Sequence, residues 1–134
     1  MKKFDHYQSN LKVLQRADQE DLSNDFIIGG IIDKFFIQFE LAWKVLKELL
    51  KYEGRVVSAS GSPRVILKEA FSIYDFIDEE IWLSMLRARN DMTHVYDAAA
   101  ARRMVDTILE DYIPAFLKLQ NGISAFYGDA LKNM

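Results

Sequence analysis

The sequence predicts an all-α protein, an antiparallel four-helix up-and-down bundle with an additional short helix. Three observations lead there. Two prolines and six glycines are few for 134 residues, so little interrupts a helix. Apolar residues recur at three- and four-residue steps along most of the chain, a spacing that gathers them on one helical face. The polar breaks between those stretches are short and hold residues that cap helix ends, which favours antiparallel neighbours. At 50% hydrophobic residues, the chain has enough apolar mass for one domain, 1–134, with its own core.

A first helix spans residues 2 to about 18, with Phe4, Tyr7, Leu11 and Leu14 as its apolar stripe. Asp18-Gln19-Glu20-Asp21 breaks it, and Ser23 is the expected cap of the next helix. That second helix, about 24–52, carries Ile28, Ile31, Ile32, Phe35, Phe39, Ala42, Trp43, Leu46, Leu49 and Leu50. Phe36 and Ile37 widen the stripe, which predicts burial on two sides, in the bundle and against a second subunit. Glu40, Lys44 and Glu48 are spaced for an i, i+4 charge ladder. Gly29-Gly30 marks either a close crossing or kink, or a place where packing tolerates glycine. Gly54 is the stop signal.

Residues 54–62 form an extended loop whose glycines lack the spacing and the Gly-Lys-Ser/Thr ending of a phosphate loop. Ser62-Pro63 opens a short third helix reaching about Tyr74 and burying Val65, Ile66, Ala70 and Phe71. Asp78 caps a fourth helix, with Glu79 and Glu80 matched to its dipole, running to about Tyr96. Asp97 caps a last helix with the stripe Met104, Val105, Ile108, Tyr112, Ala115, Phe116 and Leu119. Pro114 is expected to kink it, and Gly122 and Gly128 to bracket a final short segment.

Several function classes fall away. Without cysteine there is no disulfide framework, thiolate metal site or thiol nucleophile, a composition that fits the cytoplasm. No apolar run follows Lys2-Lys3, so no signal peptide is read. The apolar stretch from Phe26 to Leu50 holds too many charges to be a membrane span. A net charge of −3 argues against strong non-specific nucleic-acid binding and leaves room for a local basic cleft.

The chemistry concentrates in Arg89-Asn90-Asp91-Met92-Thr93-His94-Val95-Tyr96. On the expected helix Trp82, Met85, Arg89, Met92 and Tyr96 share a face, setting a guanidinium on a stripe that should be packed. His94 is one of only two histidines; the other, His6, reads as a solvated helix residue. Arg89 and His94 lie about 140° apart on an ideal helix. They line one cleft only if the helix loosens near His94 or two copies meet across a two-fold axis. Such a cleft suits phosphoryl transfer with no metal and no cofactor. His94 would move a proton, Arg89 would hold a phosphate, and Asn90 or Thr93 would orient the imidazole or substrate. His94 with Asp91 and Asp97 is too small a set for a metal. The alternative is structural: Arg89 pairs with an inward carboxylate such as Glu40, and His94 and Tyr96 pack and cap. Trp43 and Trp82 read as core anchors rather than base-stacking platforms.

Arg89-Asn90-x-x-x-His94-x-Tyr96 resembles the signature of the HEPN superfamily. Phe39-Glu40-Leu41-Ala42-Trp43-Lys44, Ser62-Pro63-Arg64, Glu69-Ala70-Phe71 and Trp82 extend the likeness to its nucleotidyltransferase substrate-binding branch, related to HepT toxins. The resemblance implies a helical homodimer with two Arg/His motifs in one cleft, and a separately encoded minimal nucleotidyltransferase as partner. It further implies a metal-independent ribonuclease toxin with Arg89 and His94 catalytic, and Tyr96 as the residue the partner modifies. The alternative it leaves open is a non-catalytic subunit that binds the partner's nucleotide acceptor. RNA or a nucleotide would be the ligand, and no membrane is involved.

Overall fold

The computed structural model describes residues 1–59 and 61–134. Every other helix is positioned by α2, Asp25–Tyr52, which buries Ile28, Ile32, Phe35, Phe39, Leu46 and Leu49. Its cap is Asn24, whose side chain accepts from the Phe26 N–H, and not Ser23 as expected. Ser23 is already engaged, donating its N–H and hydroxyl to Asp21 Oδ1 at 3.0 and 2.6 Å in an Asx turn. At the other end Gly54, at φ 76°, sends its N–H to Lys51 O while the Arg55 N–H reaches back to Leu50 O. This paired return is a Schellman stop, which needs the left-handed conformation glycine adopts freely.

α1, Lys2–Leu14, continues as a 3₁₀ turn to Gln19 and lies antiparallel along α2. Lys3 pairs with Glu48, Tyr7 O accepts from Gln38, and Asn10 bonds Lys34 O and Gln38 Oε1, so partners run backwards as α1 advances. Gln38, a polar residue within the apolar stretch of α2, is fully buried with both ends of its amide bonded to α1. α3, Pro63–Ile73, starts at Ser62, which accepts from the Val65 N–H. It buries Ile66, Leu67 and Ala70, whereas Val65 is exposed and Phe71 only half-buried. α4, Glu79–Asn90, is capped by Asp78 and packs on α2, with Trp82 beside Phe39 and Arg89 at Glu40. It runs antiparallel to the helix that follows Asp97, with Trp82 on Phe116 and Ser84 on Tyr112.

The last long helix is α5, Ala98–Thr107, a π turn Ile108–Tyr112, and α6, Ile113–Tyr127. It runs parallel to α2, with Phe35 on Tyr112 and Tyr52 on Tyr127, and antiparallel to α1, where the Tyr7 hydroxyl donates to Phe116 O. The bundle is therefore up-and-down over α1, α2, α4 and α5–α6, with α3 as the added helix. Where Pro114 was expected to kink the helix, the chain widens into the π turn just before it. The missing N–H then falls in the first turn of α6, where it costs little. Gly122 does not end a segment either: α6 passes through it, and the Phe76 ring occupies the place a Cβ would take. A 3₁₀ segment follows from Gly128 to Asn133.

Neither Gly29 nor Gly30 has a neighbour within 4 Å of an added Cβ, so no close crossing within the protomer explains them. The Glu40–Lys44–Glu48 ladder is not formed: Glu40 goes to Arg89 and Glu48 to Lys3, both on other helices. Among the described residues there is no strand, and no helix is long and apolar enough to cross a membrane.

Candidate functional site

α4 ends six residues sooner than its periodicity predicts. Asp91 leaves the helix at φ −87°, ψ 118°, and its Oδ1 accepts from the Thr93 N–H at 2.9 Å and the Thr93 hydroxyl at 2.6 Å. An aspartate that bonds the backbone two residues ahead offers the chain an alternative to another helical turn. Those bonds, the hydroxyl first and the N–H second, hold the Asp91 carboxyl below its ordinary value, with His94 adding a smaller pull. Thr93–Val95 then makes one 3₁₀ turn, and Asp97 caps α5 by accepting from the N–H groups of Ala99 and Ala100. Met92 and Tyr96, expected on the packed stripe, are exposed at 55% and 80% because the helix that would have carried them inward is absent.

This loosening brings Arg89 and His94 over the same face of α2. Arg89 Nη2 lies 2.6 Å from Glu40 Oε1, and the other Glu40 oxygen accepts from the Trp43 indole N–H at 2.9 Å. The His94 ring packs against Phe36, centroids 5.4 Å apart, and Nδ1 lies 3.1 Å from Asp91 O. A carbonyl only accepts, so the contact assigns the donor role to Nδ1 and leaves Nε2 as the outward nitrogen. Phe36 and Glu40 are one turn apart, roughly 6 Å along the axis. The Arg89–Glu40 pair, named above as the structural alternative, is present, and the Arg89 guanidinium and the His94 ring stand over successive turns of α2.

His94 and Tyr96 share a groove of about 510 Å³ whose far wall is Gly29, Ile32 and Asp33 of α2. On its other side His94 borders a smaller cavity, about 190 Å³, with Asp91, Arg103, Thr107 and Tyr112. Asn90 is exposed, and Thr93 spends its hydroxyl on Asp91, so neither orients the imidazole directly. Arg103 is a cation the motif does not contain. Its signal is positional only: Asp97 caps a helix that starts at Ala98, two residues after Tyr96, so the second turn of that helix must lie near His94. Among the described residues no cluster of His, Asp and Glu could hold a metal ion.

An all-helical bundle whose one histidine-bearing break stands between an exposed tyrosine and an engaged arginine is the class this geometry defines. Residues 2–125 match the family described as nucleotidyltransferase substrate binding protein like, and the chain belongs to it. No curated protein matches the chain.

Proposed function

We propose that this protein is the HEPN-type component of a two-gene pair and works with a separately encoded nucleotidyltransferase, to which it presents Tyr96 as a nucleotide acceptor. The observation that carries this reading is the phenol of Tyr96, 80% exposed on a groove wide enough for a substrate and shared with His94. A transferase must bring its nucleotide's α-phosphorus to the attacking oxygen, which a buried tyrosine forbids and this one permits. The phenol oxygen attacks that phosphorus, pyrophosphate leaves, and the phenolic proton passes to a base. Family membership supports the partner. The test is incubation with ATP and the nucleotidyltransferase encoded beside it, followed by peptide mass spectrometry. Adenylylation at Tyr96, lost in Tyr96→Phe, is expected; modification elsewhere, or none in a stable complex, overturns the assignment.

A second reading, a metal-independent ribonuclease acting as a homodimer, is favoured by the contact of His94 Nδ1 with Asp91 O, which turns Nε2 away from the backbone. Nε2 is left as a base able to take the proton of a ribose 2′-hydroxyl. The 2′-oxygen would attack the adjacent phosphorus, and the P–O5′ bond would break with the 5′-oxygen taking a proton from solvent. Arg89 would stabilise the phosphorane by sharing its guanidinium between that phosphate and Glu40. RNA cleavage in EDTA that His94→Ala abolishes is the expected result for this reading, and equal cleavage by both proteins removes it.

A further inference from the structure

A cavity of about 840 Å³ belongs to neither the Arg89–Tyr96 segment nor the bundle core. It lies along the C-terminal half of α2 and the turn beyond Gly54, and it is lined by Lys3, Lys44, Lys47, Lys51 and Arg55 around Trp43. Glu48 is the one acidic residue of that lining, so five cations face one carboxylate in a chain whose net charge is −3. Two of the five are matched, Lys3 by Glu48 at 2.6 Å and Arg55 by Glu69 at 3.1 Å. Lys44, Lys47 and Lys51 have no carboxylate in ion-pair reach among the described residues.

That arrangement works against the helix that bears it. Lys47 follows Lys44 by three residues and Lys51 follows Lys47 by four, spacings at which like charges repel. Trp43, at 0° on the helix wheel, falls within about 80° of Lys47 and Lys51, so the indole and the ammonium groups share one side of the groove. Trp43 was expected to be a core anchor. Unlike Trp82, buried to 1%, it is only partly covered and forms a wall of this cavity. Its indole N–H donates to Glu40, and Lys44 Nζ stands 5.9 Å from the ring centroid, so ring and ammonium already meet in the groove.

We propose that this groove binds a nucleoside triphosphate, with the phosphate chain along Lys44, Lys47 and Lys51 and the base against Trp43. The cavity falls in the range of small-molecule sites, roughly 300–1,000 Å³. A chain of phosphates supplies the charge that the lysines lack, and a planar base is the group an indole face stacks. No covalent step is involved, and the site stands apart from the Tyr96 reading: either can fail without the other.

The test titrates the full chain with ATP in EDTA by calorimetry and tryptophan fluorescence, with inorganic tripolyphosphate and a short single-stranded RNA lacking a terminal triphosphate as separate arms. ATP is expected to bind saturably and to quench the Trp43 emission. Tripolyphosphate should bind about ten-fold more weakly, because it lacks the base. Lys47→Glu should weaken ATP at least about ten-fold with the helical circular dichroism unchanged. Lys44→Gln/Lys51→Gln, a milder change, covers the case of a poorly folding reversal. Tyr96→Phe should leave ATP affinity as it was. Absence of saturable ATP binding, equal affinity in the lysine variants, tripolyphosphate as tight as ATP, or RNA tighter than ATP would each overturn the proposal.

Discussion

Removing the carboxylate of Glu40 should weaken the bundle and release Arg89 at once. The pair is two-thirds buried, with side chains 34% and 31% exposed. A fully exposed ion pair contributes about 0–1 kcal/mol, and a buried hydrogen bond to a charged group about 1.5–3 kcal/mol. This pair lies between, at about 1–2 kcal/mol. Glu40→Gln keeps the size of the side chain and one acceptor oxygen, for which Arg89 and the Trp43 indole then compete. At an unfolding entropy of about 2.1 cal/mol/K per residue, 134 residues lose about 3–4 °C of Tm per kcal/mol. The assay is urea unfolding of the wild type, Glu40→Gln, Arg89→Met and the double variant, so that the coupling energy is read from the cycle. A coupling of about 1–2 kcal/mol is expected. Additivity within about 0.3 kcal/mol would mean that Glu40 does not hold Arg89. The guanidinium would then already be at a phosphate's disposal, as the ribonuclease reading requires.

Other outcomes follow from the same structure. Gly122→Ala puts a methyl group into the Phe76 ring, so it should cost about 1–3 kcal/mol in urea unfolding, and Phe76→Leu in the same chain should return part of that. The Asp91 carboxyl, held below its ordinary 3.8 chiefly by the Thr93 hydroxyl, should titrate closer to 3.8 in Thr93→Ala when followed by carboxyl carbon NMR. Because its folded value is the lower one, the turn's contribution is present above 3.8 and is lost as pH falls through the lowered value. An unchanged titration would show that the hydroxyl does not restrain the turn. Burial raises the Tyr7 phenol well above 10.0, so its stabilisation is intact below that pH and lost as pH climbs beyond it. The Tyr7 phenolate should appear in difference absorbance only as helical dichroism disappears, and phenolate in a still-helical protein would contradict its burial.

The bundle was legible because its signals are local. Ser62-Pro63, Asp78, Asp97 and Gly54 each stand where a helix starts or stops, and each acts through backbone atoms within a few residues. What escaped depended on choosing between two local options or on distant partners. Asp91-x-Thr93 can make an Asx turn, but the apolar spacing of Met92 and Tyr96 suggested one more helical turn; the side-chain bonds prevailed. Gln38 looks out of place in an apolar stretch until α1 supplies partners for its amide, and Gly122 looks like a stop until Phe76 arrives from 46 residues earlier in the chain. The Arg89–Glu40 pair could be named beforehand because a guanidinium on an apolar stripe demands a carboxylate. Nothing comparable in the sequence pointed to Arg103.

The two regions described here are joined along one side of α2. Gly29, Asp33, Phe36, Glu40, Trp43, Lys47 and Lys51 fall within an arc of about 80° at 100° per residue. The His94–Tyr96 groove occupies the beginning of that stripe, the cationic groove its end, and Glu40 the middle. Glu40 has committed one oxygen to each direction, Oε1 to Arg89 and Oε2 to Trp43. A phosphate that reaches Arg89 must therefore share the guanidinium with a carboxylate that also positions the indole. Any ligand that shifts the indole changes the hydrogen bonding of that same carboxylate. The α2 stripe is thus not a passive floor under the Arg89–Tyr96 segment, and a Glu40 variant should be examined at both ends of it.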